Sequence, residues 1–435
     1  MDTLVILAVA LFLLAVTVLP YYRRARRRED ANRQRLERSR AAGLDEPPSL
    51  HPVVDPAVCL GSGACVAACP EGDILGLIHG RPVLLNASRC VGHGQCAAAC
   101  PVSAITLVFG TARRGVDIPH VQGTFETNVA GVYIVGELGG MGLIRNALRQ
   151  GRQAVEGIVR QGRGAVEGEY DLVVAGAGPA GLAASLTALE HGLRCRSIEQ
   201  DAPGGAVRHY PRQKLVMTEP MEIPLYGRVP WRQASKEQLL ELWDDVLRRT
   251  GLQLQTGERL LGARRDGDYL VVSTTAGEYR ARNLVLAIGR RGTPNRLEVP
   301  GEELAKVAYR LLEPEQYEGE KILIVGGGNS ALETACALAH PERRNTVTLA
   351  HRGQAFSRAR EENRARVDEL STTGQLTVLL DCQIRRIRPD AVDVVVGAEE
   401  RVLANHHVFV CAGGSLPTEL LGRLGVAIER KFGEA

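Results

Sequence analysis

The sequence predicts an α/β protein: two three-layer ββα domains, a small cysteine-rich α+β domain and one N-terminal transmembrane helix. Three observations lead to this prediction. Two short apolar strands each run into a glycine-rich turn and a helix, six of the ten cysteines fall in two matching runs, and the first twenty residues carry almost no charge. At 435 residues, the chain is long enough for two or three domains with separate cores.

The apolar N-terminal stretch runs from Thr3 to Leu19 without a charge. As a helix it would span about 26 Å, slightly less than a hydrocarbon core of about 30 Å, and Pro20 with two tyrosines extends it to the interface. A cleaved signal peptide would carry basic residues before the apolar stretch, and a short buried helix would not explain the arginines that follow it. We therefore expect an uncleaved, single-pass membrane helix over 1–20, with the soluble domains in the cytoplasm.

Basic charge is concentrated just after this stretch. Nine arginines stand against three acidic residues between Tyr21 and Arg40, whereas the net charge of the whole chain is only +3. The rest of the chain is therefore slightly acidic, which argues against a broad nucleic-acid surface. We expect 21–49 to be a basic juxtamembrane linker.

Two cysteine runs of the same spacing, C-x5-C-x3-C-P, lie within 50–111. They comprise Cys59, Cys65, Cys69, Cys90, Cys96 and Cys100. Thiolates are soft ligands that suit iron–sulfur clusters. Zinc usually takes four ligands from more closely spaced cysteine pairs, and disulfides are rare in a reducing cytoplasm. The runs therefore predict an iron–sulfur domain.

This segment resembles two-cluster bacterial ferredoxins, whose pattern is C-x2-C-x2-C-x3-C-P, with one ligand missing from each half. Ser62 and His93 stand where the second cysteine would be. In such ferredoxins the last cysteine of each run binds the cluster of the other run. The resemblance implies one cluster on Cys59, Cys65 and Cys100, and another on Cys90, Cys96 and Cys69.

The missing ligands leave the type of cluster open between [4Fe–4S] and [3Fe–4S]. With three thiolates, a cluster can lose one iron and become [3Fe–4S]; alternatively, the imidazole of His93 or the hydroxyl of Ser62 could hold the fourth iron. A serine hydroxyl is the poorer ligand for a soft metal. The sequence from Cys90 to Cys96 resembles single-cluster [3Fe–4S] ferredoxins in which histidine occupies this slot. Our hypothesis is at least one [3Fe–4S] centre.

The first glycine-rich turn follows an apolar strand that begins at Asp171 and precedes a helix that extends to His191. Its G-x-G-x-x-G motif comprises Gly176, Ala177, Gly178, Pro179, Ala180 and Gly181. The glycines permit a tight turn and the close approach of a pyrophosphate, which binds at the helix N-terminus. Glu199 closes the next strand, where a carboxylate accepts ribose hydroxyl groups. Strand, helix and acid together argue against a chance glycine turn and predict a Rossmann-like domain.

A second copy of this arrangement begins at Lys321. Its turn and the start of its helix include Gly326, Gly328, Asn329, Ser330 and Ala331. The acid after the next strand is absent, and His351, Arg352 and Arg358 occur there instead. Arginine at this point accommodates the 2′-phosphate of NADP. We therefore expect NADPH, with NADH as the alternative; a solvated basic loop is the other interpretation.

Two nucleotide folds in one chain are the layout of flavin disulfide oxidoreductases. Residues 170–435 resemble the low-molecular-weight thioredoxin reductase group, particularly its ferredoxin–NADP reductase and bacillithiol-disulfide-reductase-like branches. The resemblance is carried by Leu286-Ala287-Ile288-Gly289, by His351-Arg352 with Ser357-Arg358-Ala359, and by Val410-Cys411-Ala412-Gly413. It implies FAD on the first fold, with Gly289 where the chain leaves the flavin domain, and NADP on the second. By analogy alone it implies a homodimer.

The expected boundaries are a flavin domain over 169–290, an NAD(P)H domain over 291–411 and a return to the flavin domain over 412–435. One departure from the family concerns its redox-active C-x2-C dithiol, which is absent from this chain. Four cysteines outside the two runs are isolated in sequence, and we expect them to be small core residues. They are Cys195, Cys336, Cys382 and Cys411.

The last segment of the family's flavin domain has a counterpart in front of the first nucleotide fold. That family ends with a segment like T-N-V-P-G-V-Y-A-A-G-D and a helix, and residues 124–160 read similarly, with Gly136 and Glu137 at the G-D position. We infer a circular permutation in which 112–168 completes the flavin domain. Glu137 would replace the aspartate that reaches the ribityl chain. An independent amphipathic segment that pairs with another subunit is the alternative.

The expected function is electron transfer between NADPH, FAD and the iron–sulfur clusters, to or from a ferredoxin, a quinone or a cytochrome. Nicotinamide-to-flavin chemistry needs no side-chain acid or base, so we assign no catalytic residue. The alternatives are a disulfide reductase for low-molecular-weight thiols, with structural clusters, and a redox sensor that does not turn over.

Overall fold

The computed structural model describes residues 2–47, 50–140, 142–162, 169–210, 215–217, 220–290, 295–311, 313–414 and 416–433, with residues 2–11, 215 and 217 described by their backbone alone. The chain forms two compact units. The cysteine unit comprises Met1–Ala112, Gln354–Glu361 and Gly433–Ala435. The nucleotide unit comprises Arg113–Gly353 and Glu362–Phe432.

Three α-helices and two antiparallel strand pairs make up the regular structure in the described residues of the cysteine unit. Its elements are α1 (Asp2–Ala41), β1 (His51–Val54), α2 (Ala64–Ala67), β2 (Leu75–Ile78), β3 (Arg81–Leu84), α3 (Gln95–Ala98) and β4 (Ile105–Val108). Strand β1 pairs with β4, and β2 pairs with β3. Its small core consists of Cys65, Leu75, Cys96 and Ile105, so two thiols are already part of the packing.

Helix α1 continues through much of the segment that the sequence predicts to be a linker. It extends without a break past Pro20 to Ala41. Asn32 donates a hydrogen bond to the carbonyl of Leu77 (3.0 Å), and Arg35 forms an ion pair with Asp73 (2.7 Å). These contacts fasten the second half of α1 to the hairpin β2–β3, which polarity and charge alone do not reveal.

The predicted transmembrane helix is not supported by the structure. Within the part of the chain that is described, no helix combines the length and the apolarity needed to cross a membrane. Side chains 3–11 of the predicted span lie outside the described residues, and those of Phe12, Leu13 and Leu14 are 67%, 57% and 60% exposed.

The nucleotide unit is built on two main sheets, a mixed one and a parallel one. Its first half comprises β5 (Val116–Pro119), β6 (Val132–Ile134), α4 (Ile144–Arg160), β7 (Tyr170–Ala175), α5 (Pro179–Glu190), β8 (Cys195–Glu199), β9 (Leu215–Met217), β10 (Met221–Ile223), β11 (Gly227–Val229), β12 (Gln233–Ser235), α6 (Lys236–Thr250), β13 (Leu254–Thr256), β14 (Leu260–Asp266), β15 (Tyr269–Thr274) and β16 (Glu278–Leu286). Seven of these strands form one sheet in the order β13-β8-β7-β16-β15-β14, with β6 added alongside β16. Strands β6, β7, β8 and β16 are parallel, so their carboxyl ends meet at one edge.

The second half of the nucleotide unit repeats the parallel arrangement. It comprises β17 (Val307–Ala308), β18 (Lys321–Val325), α7 (Asn329–Leu338), β19 (Thr346–Ala350), α8 (Glu361–Thr372), β20 (Leu376–Leu379), β21 (Cys382–Ile387), β22 (Ala391–Val396), β23 (Glu399–Ala404), β24 (His407–Val410), α9 (Thr418–Arg423) and β25 (Ile428–Lys431). Five strands form a sheet in the order β17-β24-β18-β19-β20, and β21-β22-β23 form an antiparallel sheet. Strand β25 pairs with β5 near the start of the unit.

The segment that contains β6 and α4, which precedes the first glycine turn, is part of the seven-stranded sheet and of the helix layer that packs on it. Ile134 of β6 pairs with Leu286 of β16, and helix α4 packs against α5. A Cβ atom on Gly151 would lie 2.1 Å from the carbonyl oxygen of Ala180, so the two helices approach too closely for any side chain there. Leu421 near the C-terminus belongs to the same buried core as Ile134.

Candidate functional site

The six cysteines of the two runs surround two cavities in the cysteine unit, and each cavity takes cysteines from both runs. One cavity, of about 360 Å³ including its open mouth, is lined by Cys69, Cys90 and Cys96 together with His93. The other, of about 300 Å³, is lined by Cys59, Cys65 and Cys100 together with Ser62. This grouping matches the crossed ligand sets that the ferredoxin resemblance implies.

The two cysteine runs have the same local structure. The short helices α2 and α3 follow Gly63 and Gly94, which have φ of 71° and 77°, a left-handed conformation that favours glycine. Each helix carries the middle cysteine of its run into the small core, and the prolines after Cys69 and Cys100 end the runs. Burial raises the pKa of Cys90 to about 11, and it also raises the pKa of Cys65, Cys69 and Cys96.

Thiols with raised pKa values need a compensating positive charge before they are bound as thiolates, and cluster iron supplies that charge. Three thiols around a cavity of several hundred Å³ fit a polynuclear cluster. Within the described ranges, no three or more His, Cys, Asp or Glu side chains converge closely enough to hold a single metal ion.

The two positions without cysteine differ in their surroundings. His93 lines the first cavity, its side chain is 14% exposed, and its Nε2 lies 3.6 Å from Oε1 of Glu71. Ser62 lines the second cavity, where the amide nitrogen of Ala64 donates to its hydroxyl at 3.5 Å. The neighbouring Leu60 is 75% exposed. Two of the three thiols around the first cavity are buried, whereas only Cys65 is buried around the second.

The first nucleotide turn lies at the carboxyl edge of the seven-stranded sheet, between β7 and α5. Gly176 has a φ of 106°, and a Cβ there would lie 2.5 Å from the carbonyl oxygen of Ala287. A Cβ on Gly181 would lie 1.8 Å from the carbonyl oxygen of Gly176. Ala177 is buried, and Pro179 begins α5 with Gly178 as its N-cap. This geometry is a close backbone turn that opens on a helix N-terminus, as pyrophosphate binding requires.

Glu199 is tied to this turn by its carboxylate. Its Oε2 accepts a hydrogen bond from the amide of Ala177 (2.7 Å), and its Oε1 accepts one from Asp201 (3.0 Å). A carboxylate has about four acceptor sites, so two remain for ribose hydroxyl groups. Glu199 therefore both orders the turn and keeps capacity for a ligand.

Gly204 and Gly205 complete the first turn, and sequence reasoning missed them. The amide of Gly204 donates to the carbonyl of Ala177 (2.9 Å), and a Cβ on Gly205 would lie 2.8 Å from the Cα atom of Gly178. The turn at Gly176–Gly181 and the Gly204-Gly205 pair therefore form a narrow cleft, and a single Cβ atom at Gly205 would fill it. The signal was present as a Gly-Gly pair shortly after Glu199.

Gly136 and Glu137 lie at the same edge, directly after β6. The amide of Gly136, which has a φ of 78°, donates to Oε1 of the buried Gln150 (2.7 Å). Glu137 is half-buried and lies over Gly142. Gly289 follows β16 at this edge with a φ of 64°. The structure thus brings Gly136, Glu137, Gly176, Glu199 and Gly289 to one edge of one sheet.

The second nucleotide turn lies between β18 and α7. A Cβ on Gly326 would lie 2.4 Å from the carbonyl oxygen of Cys411, and Gly328 is the N-cap of α7, which begins with Asn329, Ser330 and Ala331. Gly327, which the sequence analysis did not single out, is in contact with the ring of His351: a Cβ there would lie 2.2 Å from its Cε1 atom. Arg352, the next residue, is exposed.

Arg358 does not lie in the unit that holds His351 and Arg352. It belongs to Gln354–Glu361, a segment of the cysteine unit in which Glu361 forms an ion pair with Arg89 (3.0 Å). Sequence proximity within one loop suggested a common phosphate site. Within the nucleotide unit, the ring of His351 lies against the second glycine turn at Gly327.

Burial disfavours the thiolate form of the four isolated cysteines. Burial raises the pKa of Cys195 and of Cys411 to about 11, and it raises the pKa of Cys336 and Cys382 as well. With a pKa of about 11, Cys195 and Cys411 are almost entirely protonated near neutral pH, whereas the thiolate is the nucleophile.

Family models match both units. The model described as pyridine nucleotide-disulphide oxidoreductase matches residues 173–433, and the one described as a 4Fe-4S dicluster domain matches residues 51–101. Two ferredoxin--NADP reductases are among the similar proteins. That of Ignicoccus hospitalis is 33% identical over 43% of this chain and 57% of its own length. That of Thermus thermophilus is 29% identical over 60% of this chain and 78% of its own.

Solved structures give a consistent fold. The bacillithiol disulfide reductase Bdr (YpdA) from Bacillus cereus has a TM-score of 0.56 and 26% identity, over 60% of this chain and 82% of that chain. Its Staphylococcus aureus counterpart has the same TM-score, 24% identity and coverage of 60% and 81%. The alignment with the Ignicoccus reductase spans little more than half of that protein.

The prediction of a flavin oxidoreductase is confirmed by the first match, which covers more than half of the chain, and that of an iron–sulfur domain by the second. The chain belongs to the pyridine nucleotide-disulphide oxidoreductase family, as an NAD(P)H-dependent FAD oxidoreductase that also carries a 4Fe-4S dicluster domain.

Proposed function

We propose that this chain moves electrons between NADPH and two iron–sulfur clusters by way of FAD, and exchanges them with a ferredoxin, a quinone or a cytochrome. The observation that carries the proposal is the pair of cavities, each lined by three thiols from both cysteine runs. When bound, FAD converts between two-electron and one-electron transfer and the clusters carry single electrons. The similarity to two ferredoxin--NADP reductases supports this assignment.

The residues of the cysteine unit would hold the clusters in two different environments. Cys69, Cys90 and Cys96 offer three thiolates, two of them buried, and Cys59, Cys65 and Cys100 offer three, one of them buried. Because neither set has a fourth thiol, each cluster departs from four-thiolate ligation. We propose that at least one of the clusters is a [3Fe–4S] centre.

We propose a circular permutation of the flavin domain: residues 112–168, which correspond to the last segment of that domain in the family, precede the first nucleotide fold in this chain. The pairing of Ile134 with Leu286 and the shared core of Ile134 and Leu421 support this. In this arrangement Gly136 and Glu137 stand at the carboxyl edge, and Glu137 offers a carboxylate to a ribityl hydroxyl. The glycines of the first turn and Glu199 would hold the adenosine diphosphate part.

We propose that the second turn prefers NADPH. His351 contacts Gly327 and the exposed Arg352 follows directly, so a guanidinium is available beside the turn for a 2′-phosphate.

The test is anaerobic addition of NADPH to the purified full chain. We expect loss of the visible absorbance of the oxidised flavin, followed by a change in the electron paramagnetic resonance signals of the clusters. Cys59→Ser and Cys90→Ser variants are the matched controls: flavin reduction should persist, whereas the signal of the altered cluster should disappear. Flavin reduction with no change at either cluster would overturn the proposal.

A disulfide reductase for low-molecular-weight thiols is the second candidate, because the solved bacillithiol disulfide reductases share this fold. The raised pKa values of Cys195 and Cys411 weigh against a thiolate nucleophile in the nucleotide unit. Steady-state NADPH oxidation with one-electron acceptors and with small disulfides separates the two. Faster turnover with the disulfides would favour the second candidate.

Attachment to a membrane through the N-terminal segment is a separate proposal, with the other domains in the cytoplasm. The exposed apolar side chains from Phe12 to Leu19, followed by exposed arginines, support it. In fractionated cells, the full chain should resist extraction with alkaline carbonate, and a chain that begins at residue 23 should not. Release of both into the soluble fraction would contradict attachment.

A further inference from the structure

Four parallel strands place residues of the flavin site in a row along one sheet edge. In spatial order, β8 ends at Glu199, β7 leads into Gly176, β16 leads into Gly289 and Arg290, and β6 leads into Glu137. Ligands of such sheets bind across the carboxyl ends of the strands. With the ribose expected at Glu199 and the pyrophosphate at the turn of β7, the end of the dinucleotide beyond the pyrophosphate faces Arg290 and Glu137.

Arg290 is a half-buried cation in that part of the edge. Its Nη2 donates a hydrogen bond to the main-chain carbonyl of Asp117 in β5, at 3.4 Å. The carboxylate of Asp117 points elsewhere, toward Nε of Arg430 at 3.6 Å. Among the described residues, no carboxylate lies at ion-pair distance from Arg290, and its nearest acidic side chains act on it only over a longer range.

A guanidinium in this position is costly unless an anion compensates it. Burial lowers the pKa of Arg290, and the charges of Glu137 and Asp117 only partly oppose the effect. Arginine nevertheless stays protonated in proteins. The edge therefore presents a fixed positive charge, and the carbonyl of Asp117 holds it in place.

We propose that Arg290 sets the redox potential of the bound flavin, by stabilising the negative charge that the flavin ring carries when it is reduced. The inference rests on flavin binding at this edge. Glu137, on the neighbouring strand end, acts in the opposite direction through its carboxylate. The pair thus gives the chain two charges of opposite sign with which the potential is adjusted to the clusters.

The test is the midpoint potential of the flavin in the full chain, measured by equilibration with redox dyes. Arg290→Gln should shift the equilibrium between oxidised and reduced flavin at least tenfold toward the oxidised form, which lowers the potential by about 30 mV for a two-electron couple. Arg290→Lys should stay near the wild type because it keeps the charge. Glu137→Gln should shift the potential upward.

Arg430→Gln is the matched control, since it removes an exposed guanidinium from the same strand pair and should leave the potential unchanged. An unchanged potential in Arg290→Gln at full flavin content would overturn the inference. If Arg290→Gln binds no flavin, the lysine variant decides: restored flavin at a wild-type potential supports the role of charge, and continued loss contradicts it. Absence of flavin from the wild-type chain would instead overturn the proposed function.

Discussion

Ile134 pairs in register with Leu286, although the whole first glycine turn lies between them in the sequence. The pairing joins β6 to the strand that leads into Gly289, so the segment before the glycine turn is an integral part of the sheet. The stability of the flavin edge should therefore depend on residues that precede the first nucleotide fold.

Two glycines of α4 test this dependence. Gly151→Ala should destabilise the chain by about 3 kcal/mol and release flavin, because its Cβ would collide with the backbone of Ala180. Gly157→Ala on the same helix is the control. No atom lies within 4 Å of its Cβ position, and the helical backbone gains about 0.5–1 kcal/mol from the change. Thermal unfolding and flavin content measure both; equal behaviour of the two variants would contradict the packing argument.

The cluster on Cys69, Cys90 and Cys96 is expected to respond to a fourth thiol. His93→Cys should replace an oxidised [3Fe–4S] signal by a [4Fe–4S] signal that appears only on reduction, because His93 lines this cavity. Ser62→Ala should leave the spectrum unchanged if the hydroxyl is not a ligand. The measurement is electron paramagnetic resonance of anaerobically purified protein. An unaltered spectrum in His93→Cys would contradict a [3Fe–4S] cluster that lacks its fourth iron next to His93.

The two clusters should have different potentials. Two thiols of one set, Cys90 and Cys96, are buried, whereas in the other set only Cys65 is buried and Cys59 and Cys100 are partly exposed. A reduced cluster carries one more negative charge, which is solvated less well where more of the ligands are buried. The cluster on Cys69, Cys90 and Cys96 should therefore be reduced at the lower potential in a redox titration. A reversed order in Cys59→Ser and Cys90→Ser variants would contradict this explanation.

Arg352 should govern the choice between NADPH and NADH. Arg352→Ala should lower kcat/KM for NADPH about tenfold, or about 1.4 kcal/mol, and leave that for NADH nearly unchanged. Arg385→Ala, which removes another exposed arginine of the nucleotide unit, should change neither. Equal losses with both nucleotides would assign Arg352 a structural role.

The isolated cysteines should not take part in turnover. With pKa values of about 11, Cys195 and Cys411 are about one part in a thousand thiolate at pH 8. Iodoacetamide at pH 8 should leave NADPH oxidation intact, and the rate of modification should rise as the pH approaches 11 because the thiolate fraction grows. Rapid inactivation at pH 8 would reopen the disulfide reductase candidate.

The sequence predicted those parts of the site whose chemistry is local. The turns after β7 and β18 are readable because glycine spacing, a preceding strand and a following helix occur together within one segment. The cysteine runs could be recognised from the sequence because their spacing is typical of a loop that surrounds an iron–sulfur cluster. Glu199 was predicted as a ribose acceptor, but its hydrogen bond to Ala177 depends on how two strand ends meet.

Features that depend on packing between distant segments were missed. The continuation of α1 into the predicted linker follows from Asn32 and Arg35, whose partners lie on a hairpin much later in the chain. Arg358 was grouped with Arg352 because they share a loop, whereas the structure assigns them to different units. The role of Arg290 could not be predicted from the sequence, because an arginine next to a glycine is not informative until its burial in the fold is known.

Helix α1 also gives the cysteine unit a rigid stalk. Its forty residues would extend about 60 Å, and its second half is fastened to the hairpin by Asn32 and Arg35 rather than joined through a flexible tether. A flexible tether lets a redox module search a large volume, whereas a stalk holds it at one height and in one orientation. If the proposed membrane attachment holds, α1 would therefore limit which partners the clusters can reach.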